Sequence, residues 1–146
     1  MKDAVTIPAA SEPVEVSWLK THTRVPSSVS AWDTIIGSQY LPAAREQVEN
    51  DTGRLMMQQS RTLYLDDFRR VLEISRSPVR SLVAIRYLDQ DGALQTIDLS
   101  TLRTDADGDR YRIVKDDDTL WPITDDVPSA VRVEYRAGYA AALSAD

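Results

Sequence analysis

The residues most suggestive of chemistry are three aspartates at alternating positions, Asp105, Asp107 and Asp109. Carboxylates with this spacing and a glycine nearby are typical of calcium-binding loops. An EF-hand loop, however, has its glycine at the sixth position and usually a glutamate at the twelfth. Counted from Asp105, those positions hold Arg110 and Asp116. The pattern therefore favours a solvated turn, and we predict no metal site.

Catalytic side chains are scarce in this sequence. The chain has one histidine, His22, and no cysteine. A Ser-His-Asp triad or a histidine-based zinc site would therefore depend on a single residue. The sequence also lacks a GxSxG elbow, an HExxH motif and a phosphate-binding glycine loop. We predict that the protein has no catalytic residues, needs no cofactor and is not an enzyme.

Composition and charge exclude several of the protein classes to which the chain could belong. The 146 residues include 23 acidic and 17 basic side chains, which gives a formal net charge of −6. An acidic protein gains little from counterion release on DNA, so tight nonspecific binding to nucleic acid is disfavoured. No apolar run approaches the roughly 18 residues that a membrane span needs, so no membrane association is expected. The length suits a single domain, 1–146.

The first half of the chain is organised by one stripe of side chains. They recur at intervals of four, at Ile36, Tyr40, Ala44, Val48 and Thr52. This period predicts a long helix with one buried face. We expect Ala44 and Val48 to hold that face against the core. The first residues, 1–12, are predicted to be an extended arm.

Local signals set the ends and the shape of the long helix. Ser30, followed by Asp33 three residues later, resembles a capping box, so the helix is predicted to begin there. Pro42 removes a backbone hydrogen bond, which predicts either a kink or two helices that meet at Leu41–Pro42. Gly53 is the natural C-terminal cap. Together with a shorter helix before it, this helix makes residues 1–60 mainly helical.

The second half of the chain, 61–136, has the alternation of antiparallel strands. Apolar side chains of 131–135 share one face of a strand, and charged side chains share the other. Asp91 and Gly92 fall in a hairpin turn between two such runs. Residues 137–146 are predicted to form a short extended tail. The predicted fold class is therefore α+β, with N-terminal helices, one long and kinked, followed by a small antiparallel β region.

Four stretches, taken in order, resemble the head–tail connector (adaptor) proteins of tailed phages, the group labelled gp6-like or gp8-like connectors. They are PVEVSWLKTHTRV (13–25), AAREQVENDTGR (43–54), SPVRSLVAIRYLDQDGALQTID (77–98), and the WP pair (121–122) with AVRVEYRAGY (130–139). Because they span nearly the whole chain and keep the family's order, the resemblance is specific.

The resemblance implies that the protein has a structural role and is not a catalyst. Such proteins form a homo-oligomeric ring, commonly a dodecamer, beneath the portal protein at the capsid vertex. They bind the portal on one side and stopper or tail-completion proteins on the other. Genome DNA passes through the channel without specific binding. The implied location is the neck of the virion, with the host cytoplasm as the place of assembly.

The resemblance also suggests roles for particular residues. Contacts between subunits are expected from polar residues of the long helix and the loop after it: Arg45, Glu46, Glu49 and Arg54. Structural roles are expected for residues of the stripe, the helix end and two turns: Ala44, Val48, Gly53, Asp91, Gly92 and Gly138. Family members often continue into a further helix, whereas this sequence ends seven residues after Tyr139. We therefore expect the tail to contact the portal through Tyr139, Leu143 and Asp146.

Two alternatives remain open at the level of the sequence. The chain fits another neck component, such as a stopper or tail-completion protein, and its position in an assembled neck would separate the two roles. A small unrelated enzyme or ligand-binding module is the second alternative. It would be a folded monomer with a deep pocket.

Overall fold

A computed structural model describes residues 2–107, 110–116 and 120–139 of the chain. The described part has an α+β fold, as predicted, with antiparallel strands in two sheets. The strands are β1 (Lys2–Ile7), β2 (Gln59–Leu65), β3 (Leu72–Ile74), β4 (Val79–Leu88), β5 (Leu94–Thr96), β6 (Leu102–Asp107), β7 (Arg110–Lys115) and β8 (Val131–Ala137). A 3-10 turn (Leu99–Thr101) precedes β6.

The two sheets share one core. The larger sheet has the order β1-β2-β8-β4-β5, and the smaller one has the order β3-β7-β6. At the centre of the larger sheet, β2 pairs with β8 along its whole length. Leu63, Ile85 and Val133 of the larger sheet form one buried cluster with Ile74 and Ile113 of the smaller sheet. Apolar residues at alternate positions predict these strands because they all face the shared core.

The fold begins with a strand. β1 pairs antiparallel with β2 and forms one edge of the larger sheet. The expectation that the fold starts with helices is not confirmed, because the helices follow this strand, which lies within the predicted extended arm, 1–12. Alternation misses this strand because a charged residue, Asp3, lies opposite the buried Leu63 on the core side. The Asp3 carboxylate is satisfied there by hydrogen bonds from Arg61 (3.1 Å) and the Tyr135 hydroxyl (2.8 Å).

Helices connect β1 to β2. The first is α1 (Val16–Thr23), and the second is a long helix, 33–52. The long helix consists of α2 (Asp33–Ile35), a π-helical turn (Ile36–Tyr40) and α3 (Leu41–Thr52).

The expected kink at Pro42 is not confirmed. The helix changes register one turn earlier, where the Leu41 N–H bonds to the Ile36 carbonyl in the π-helical turn. Such turns occur where the regular ladder of hydrogen bonds is interrupted. Pro42 then falls in the first turn of α3, where a missing N–H is tolerated.

The two ends of the long helix differ in how well the sequence predicts them. The helix begins at Asp33 and not at Ser30, because the Asp33 carboxylate does not take part in a cap. It accepts a hydrogen bond from Lys20 Nζ at 2.6 Å instead. Gly53 ends α3 as predicted, with a φ of 71° and an N–H that donates to the Glu49 carbonyl.

The stripe of the long helix faces away from the core. Val48 is 40% exposed, Tyr40 is 61% exposed, and Ala44 is also exposed. The buried residue of α3 is Glu49. The prediction that Ala44 and Val48 pack on the core is therefore wrong. The helix meets the rest of the fold through the charged side chains of Arg45 and Glu49, each one position after a stripe residue and so about 100° around the helix from it.

The hairpin between β4 and β5 lies where the sequence predicts it. Gly92 has a φ of 75° in the turn. The residue that fixes the turn is Asp89, whose carboxylate accepts hydrogen bonds from the N–H groups of Asp91 (3.1 Å) and Ala93 (2.9 Å). Hydrogen bonds from the Gln95 side chain and the Ala93 backbone lower the pKa of Asp89, because they favour its charged form.

Gly138 offers a sharp test of the packing at the end of β8. A Cβ at this position, where φ is 129°, would lie 2.3 Å from the Met57 carbonyl oxygen. We predict that Gly138→Ala lowers the free energy of unfolding by about 3 kcal/mol or more, because strained backbone and a steric clash add up. Gly92→Ala is the matched control. Its φ is also positive, but no atom lies within 4 Å of the added Cβ, so the loss is limited to about 1–2 kcal/mol. Equilibrium urea unfolding measures both, and equal losses would contradict the proposed clash.

Candidate interaction surfaces

The described residues that could take part in catalysis or metal binding do not lie together in one site. His22 is exposed on α1. Asp105 lies on β6 opposite Arg112, with 4.0 Å between their charged atoms, so the prediction of a turn is wrong at this residue. Asp107 ends the same strand, and Asp109 lies outside the described residues. Within 2–107, 110–116 and 120–139, no group of three or more acidic or histidine side chains is placed to hold a metal ion.

Among the residues that the structure describes, none forms a helix long and apolar enough to cross a bilayer.

A network of charged side chains joins the long helix to the rest of the fold. Arg45 donates to Glu12 (Nε to Oε2, 2.8 Å) and to Glu49 (Nη1 to Oε2, 3.0 Å). The other oxygen of Glu49 accepts the backbone N–H of Met56 at 2.8 Å. Burial opposes the charge on Arg45, but the hydrogen bond with Glu12 and the charge of Glu49 outweigh it and raise the pKa of Arg45. The guanidinium therefore stays charged.

The network continues into the larger sheet. Gln59 Nε2 lies 3.5 Å from Glu49 Oε2, and Arg61 donates to Gln59 (3.2 Å) and Asp3 (3.1 Å). The Tyr135 hydroxyl donates to the second oxygen of Asp3 at 2.8 Å. Burial and the charge of Asp3 raise the pKa of Tyr135. We call the connected set the helix–sheet network; its members are Asp3, Glu12, Arg45, Glu49, Gln59, Arg61 and Tyr135.

The four residues predicted at contacts between subunits divide into two pairs. Arg45 and Glu49 make contacts within the chain, with side chains only 11% and 6% exposed. Glu46 is exposed, with 67% of its side chain accessible. Arg54 is also exposed, and its Nη1 lies 3.3 Å from the Tyr139 hydroxyl. For all four residues, a contact between subunits stays a prediction.

The base of the predicted tail is held by the fold. Arg80 donates to the Gly138 carbonyl at 2.8 Å and also to the Tyr139 carbonyl. The Tyr139 side chain is nevertheless 52% exposed. Leu143 and Asp146 lie outside the described residues. The tail's contact with a portal stays a prediction.

An apolar groove runs along the helices. We call it the helical groove; it has a volume of about 430 Å³ and is lined by Leu19, Val25, Val29, Trp32, Ile36 and Tyr40, with Lys20 and Asp33 in its wall. Trp32 and Tyr40 are 65% and 61% exposed, so the groove opens to solvent. The sequence shows these residues but not the groove, because it forms only when α1 folds beside the long helix.

A second apolar surface lies in the loop before β8. Leu120 is 90% exposed and Ile123 is 71% exposed. Between them, the Trp121 ring stacks on Phe68, with 4.7 Å between ring centroids and 6° between planes. We call this loop the 120–123 segment. Its signal in the sequence is a run of apolar residues, LWPI, one residue after an acidic run.

Solved structures of neck proteins share this fold. No protein-family profile matches the sequence, and no curated protein matches it. Solved chains do match it, among them three that align over 99–100% of its length. The first is from the neck of an empty gene transfer agent (GTA) particle computed with C6 symmetry, with a TM-score of 0.74 and 24% identity over 100% of this chain and 75% of that one. The second is from the virion of the native gene transfer agent particle, with a TM-score of 0.77 and 25% identity over 100% and 76%.

The third match is from the neck of the native particle computed with C12 symmetry. Its TM-score is 0.67, with 23% identity over 99% of this chain and 72% of that one. The chain thus has the fold of chains in the neck and virion of a phage-like particle. Membership of the narrower gp6-like group, which the sequence resembles, stays a prediction.

Glu49 tests whether the helix–sheet network holds the long helix. We predict that Glu49→Ala lowers the free energy of unfolding by about 3 kcal/mol or more, because it leaves the Met56 N–H unpaired and Arg45 with one partner fewer. Glu46→Ala is the matched control on the same helix. Its exposed carboxylate lies 4.0 Å from Arg45, so a change within about 0.5 kcal/mol is expected. Urea unfolding followed by circular dichroism measures both. A small loss for Glu49→Ala would show that the network does not stabilise the helix.

Proposed function

We propose that this protein is a structural component of the neck of a tailed-phage-like particle, and that it acts there as the head–tail adaptor. The observation that carries the proposal is the match of the entire chain to chains of a gene transfer agent neck and virion. Four sequence stretches that resemble phage connector proteins support the same role independently.

In this role the protein forms a ring, a dodecamer, around the channel through which the genome passes. The C6 and C12 symmetries of the matching neck reconstructions support a ring of rotationally related copies. The large apolar side chains exposed on the chain support extensive contacts with other copies or partners. A net charge of −6 suits a channel wall that does not hold DNA tightly.

The ring would lie between two other components. The portal protein binds on one side, and a stopper or tail-completion protein binds on the other. The protein would work without catalysis and without a cofactor, in the neck of the virion, after assembly in the host cytoplasm.

Electron micrographs of the purified protein, with and without the cognate portal protein, test this role. We expect rings with rotational symmetry that stack coaxially on the portal. A protein that binds the tail-side components and leaves the portal bare would be a stopper. A monomer that forms no ring under any of these conditions would contradict the proposal.

The tail provides a test of portal binding. We predict that deletion of residues 140–146 leaves the fold intact, because Tyr139 and the contacts of Arg80 with the backbone before the deletion are kept. The truncated protein should no longer co-sediment with portal rings. The thermal melt of the truncated protein is the control for folding. Unchanged co-sedimentation would show that the portal contact lies elsewhere.

A further inference from the structure

The helical groove has the properties of a docking site, because it is apolar and remains open to solvent in the isolated chain. Its lining is almost entirely apolar, yet two of its residues, Trp32 and Tyr40, are more than half exposed. Monomeric proteins rarely leave a contiguous apolar surface of this kind open to water. An apolar occupant would therefore gain free energy by covering it.

One wall of the groove also contains an unsatisfied polar atom. Asp33 Oδ2 accepts a hydrogen bond from Lys20 Nζ at 2.6 Å, but Asp33 Oδ1 is buried and has no hydrogen-bond partner among the described residues. Buried carboxylate oxygens are rarely left in this state. This atom is inaccessible even while the groove is empty, so it is not a contact point for an occupant, and the groove offers an occupant its apolar lining alone. An exposed apolar segment of a second chain would gain free energy by covering that lining.

The 120–123 segment has these properties. Leu120 and Ile123 are the most exposed large apolar side chains of the described chain. The backbone of residues 120–125 belongs to no helix or strand. It is also held in place, because Trp121 stacks on Phe68 and the Asp125 N–H donates to the Leu88 carbonyl at 2.9 Å. A rigid apolar projection loses little conformational entropy when it enters a groove.

The groove and the segment lie toward opposite ends of the larger sheet. The helices that form the groove lead into β2 at Gln59, which pairs with the last residue of β8. The 120–123 segment leads into β8 at the other end, where the Ser129 N–H donates to Asp66 directly after β2. The seven residues of β2 span about 20 Å. A chain therefore does not fill its own groove, whereas a second copy presents the segment to it.

We propose that copies of this chain associate head-to-tail, with the 120–123 segment of one copy inserted into the helical groove of the next. Such a contact joins two different surfaces and so continues from copy to copy until it closes into a ring. The inference deepens the proposed adaptor function, on whose ring it rests, by naming the two surfaces that meet.

Cysteine cross-linking tests the contact directly, because the natural chain has no cysteine. We would combine Leu120→Cys with Val29→Cys, two exposed positions on the segment and in the groove, and treat the protein with a short bismaleimide. A covalent ladder of oligomers is expected for the double variant, and a covalent dimer for a mixture of the two single variants. Neither single variant alone should form a ladder. A dimer of Val29→Cys alone would indicate that groove meets groove, which would overturn the proposal.

Charge substitution gives a second, independent readout. Leu120→Asp should shift the sedimenting species from oligomer to monomer, because a carboxylate in the apolar groove would be desolvated. Val83→Asp is the matched control, since Val83 is also an exposed apolar residue but lies in the middle of β4 and belongs to neither surface. Both variants should melt like the natural protein.

The outcomes of these experiments distinguish a failure of the proposed contact from a failure of the proposed adaptor role. If the natural protein forms rings but Leu120→Asp assembles normally and the cysteine pair gives no ladder, the proposed pairing is wrong and the adaptor role stands. If the natural protein forms no ring, alone or on the portal, both the pairing and the adaptor role are wrong. Loss of rings with Leu120→Asp, together with the ladder, supports the contact.

Discussion

The ion pairs of Arg45 with Glu12 and Glu49 are the interaction on which the arrangement of this fold depends. They connect the segment after β1, the long helix and the start of the larger sheet through one guanidinium. Ion pairs that are largely withdrawn from water add little net stability, because desolvation offsets most of their attraction. Their hydrogen bonds are directional, however, so they fix where a helix lies. Here they set the position of the long helix relative to the sheet.

This mode of attachment explains why the helix has its apolar side outside. A helix that docks through apolar packing must turn its stripe toward the core. In this chain Glu49 occupies the buried position, and Val48, its neighbour, is left 40% exposed. The charged attachment thus keeps the apolar stripe, and the groove at its N-terminal end, available for another chain. Gly53 completes the joint, since its left-handed conformation ends the helix where the chain must turn into the sheets.

The sequence predicts some of these features well and others poorly, for physical reasons. Period-two alternation predicts β8 and the β4–β5 hairpin, because their faces differ clearly in polarity. β1 is missed because Asp3 faces inward and is satisfied by Arg61 and Tyr135. The period of four predicts the long helix, but periodicity reports which face of a helix is apolar and not what covers that face. In a subunit of an assembly, the residues that pack on this apolar face can belong to a different chain. The contacts of Arg45 and Glu49 likewise need the fold, since their partners Glu12 and Met56 are identified only by proximity in space.

Closure of a ring requires a fixed angle between the two contact surfaces of each subunit, and a monomeric protein has no such requirement. In a twelvefold ring each contact turns the next copy by about 30°, a full turn divided by twelve. Small angular errors at each contact add up around the ring and prevent closure. If one copy is joined to the next by its helical groove on one side and its 120–123 segment on the other, the angle between these surfaces within a copy must be fixed. The helix–sheet network fixes the first surface, and the stack of Trp121 on Phe68 fixes the second. Directional bonds in the joint, rather than additional apolar packing, are what this geometry requires.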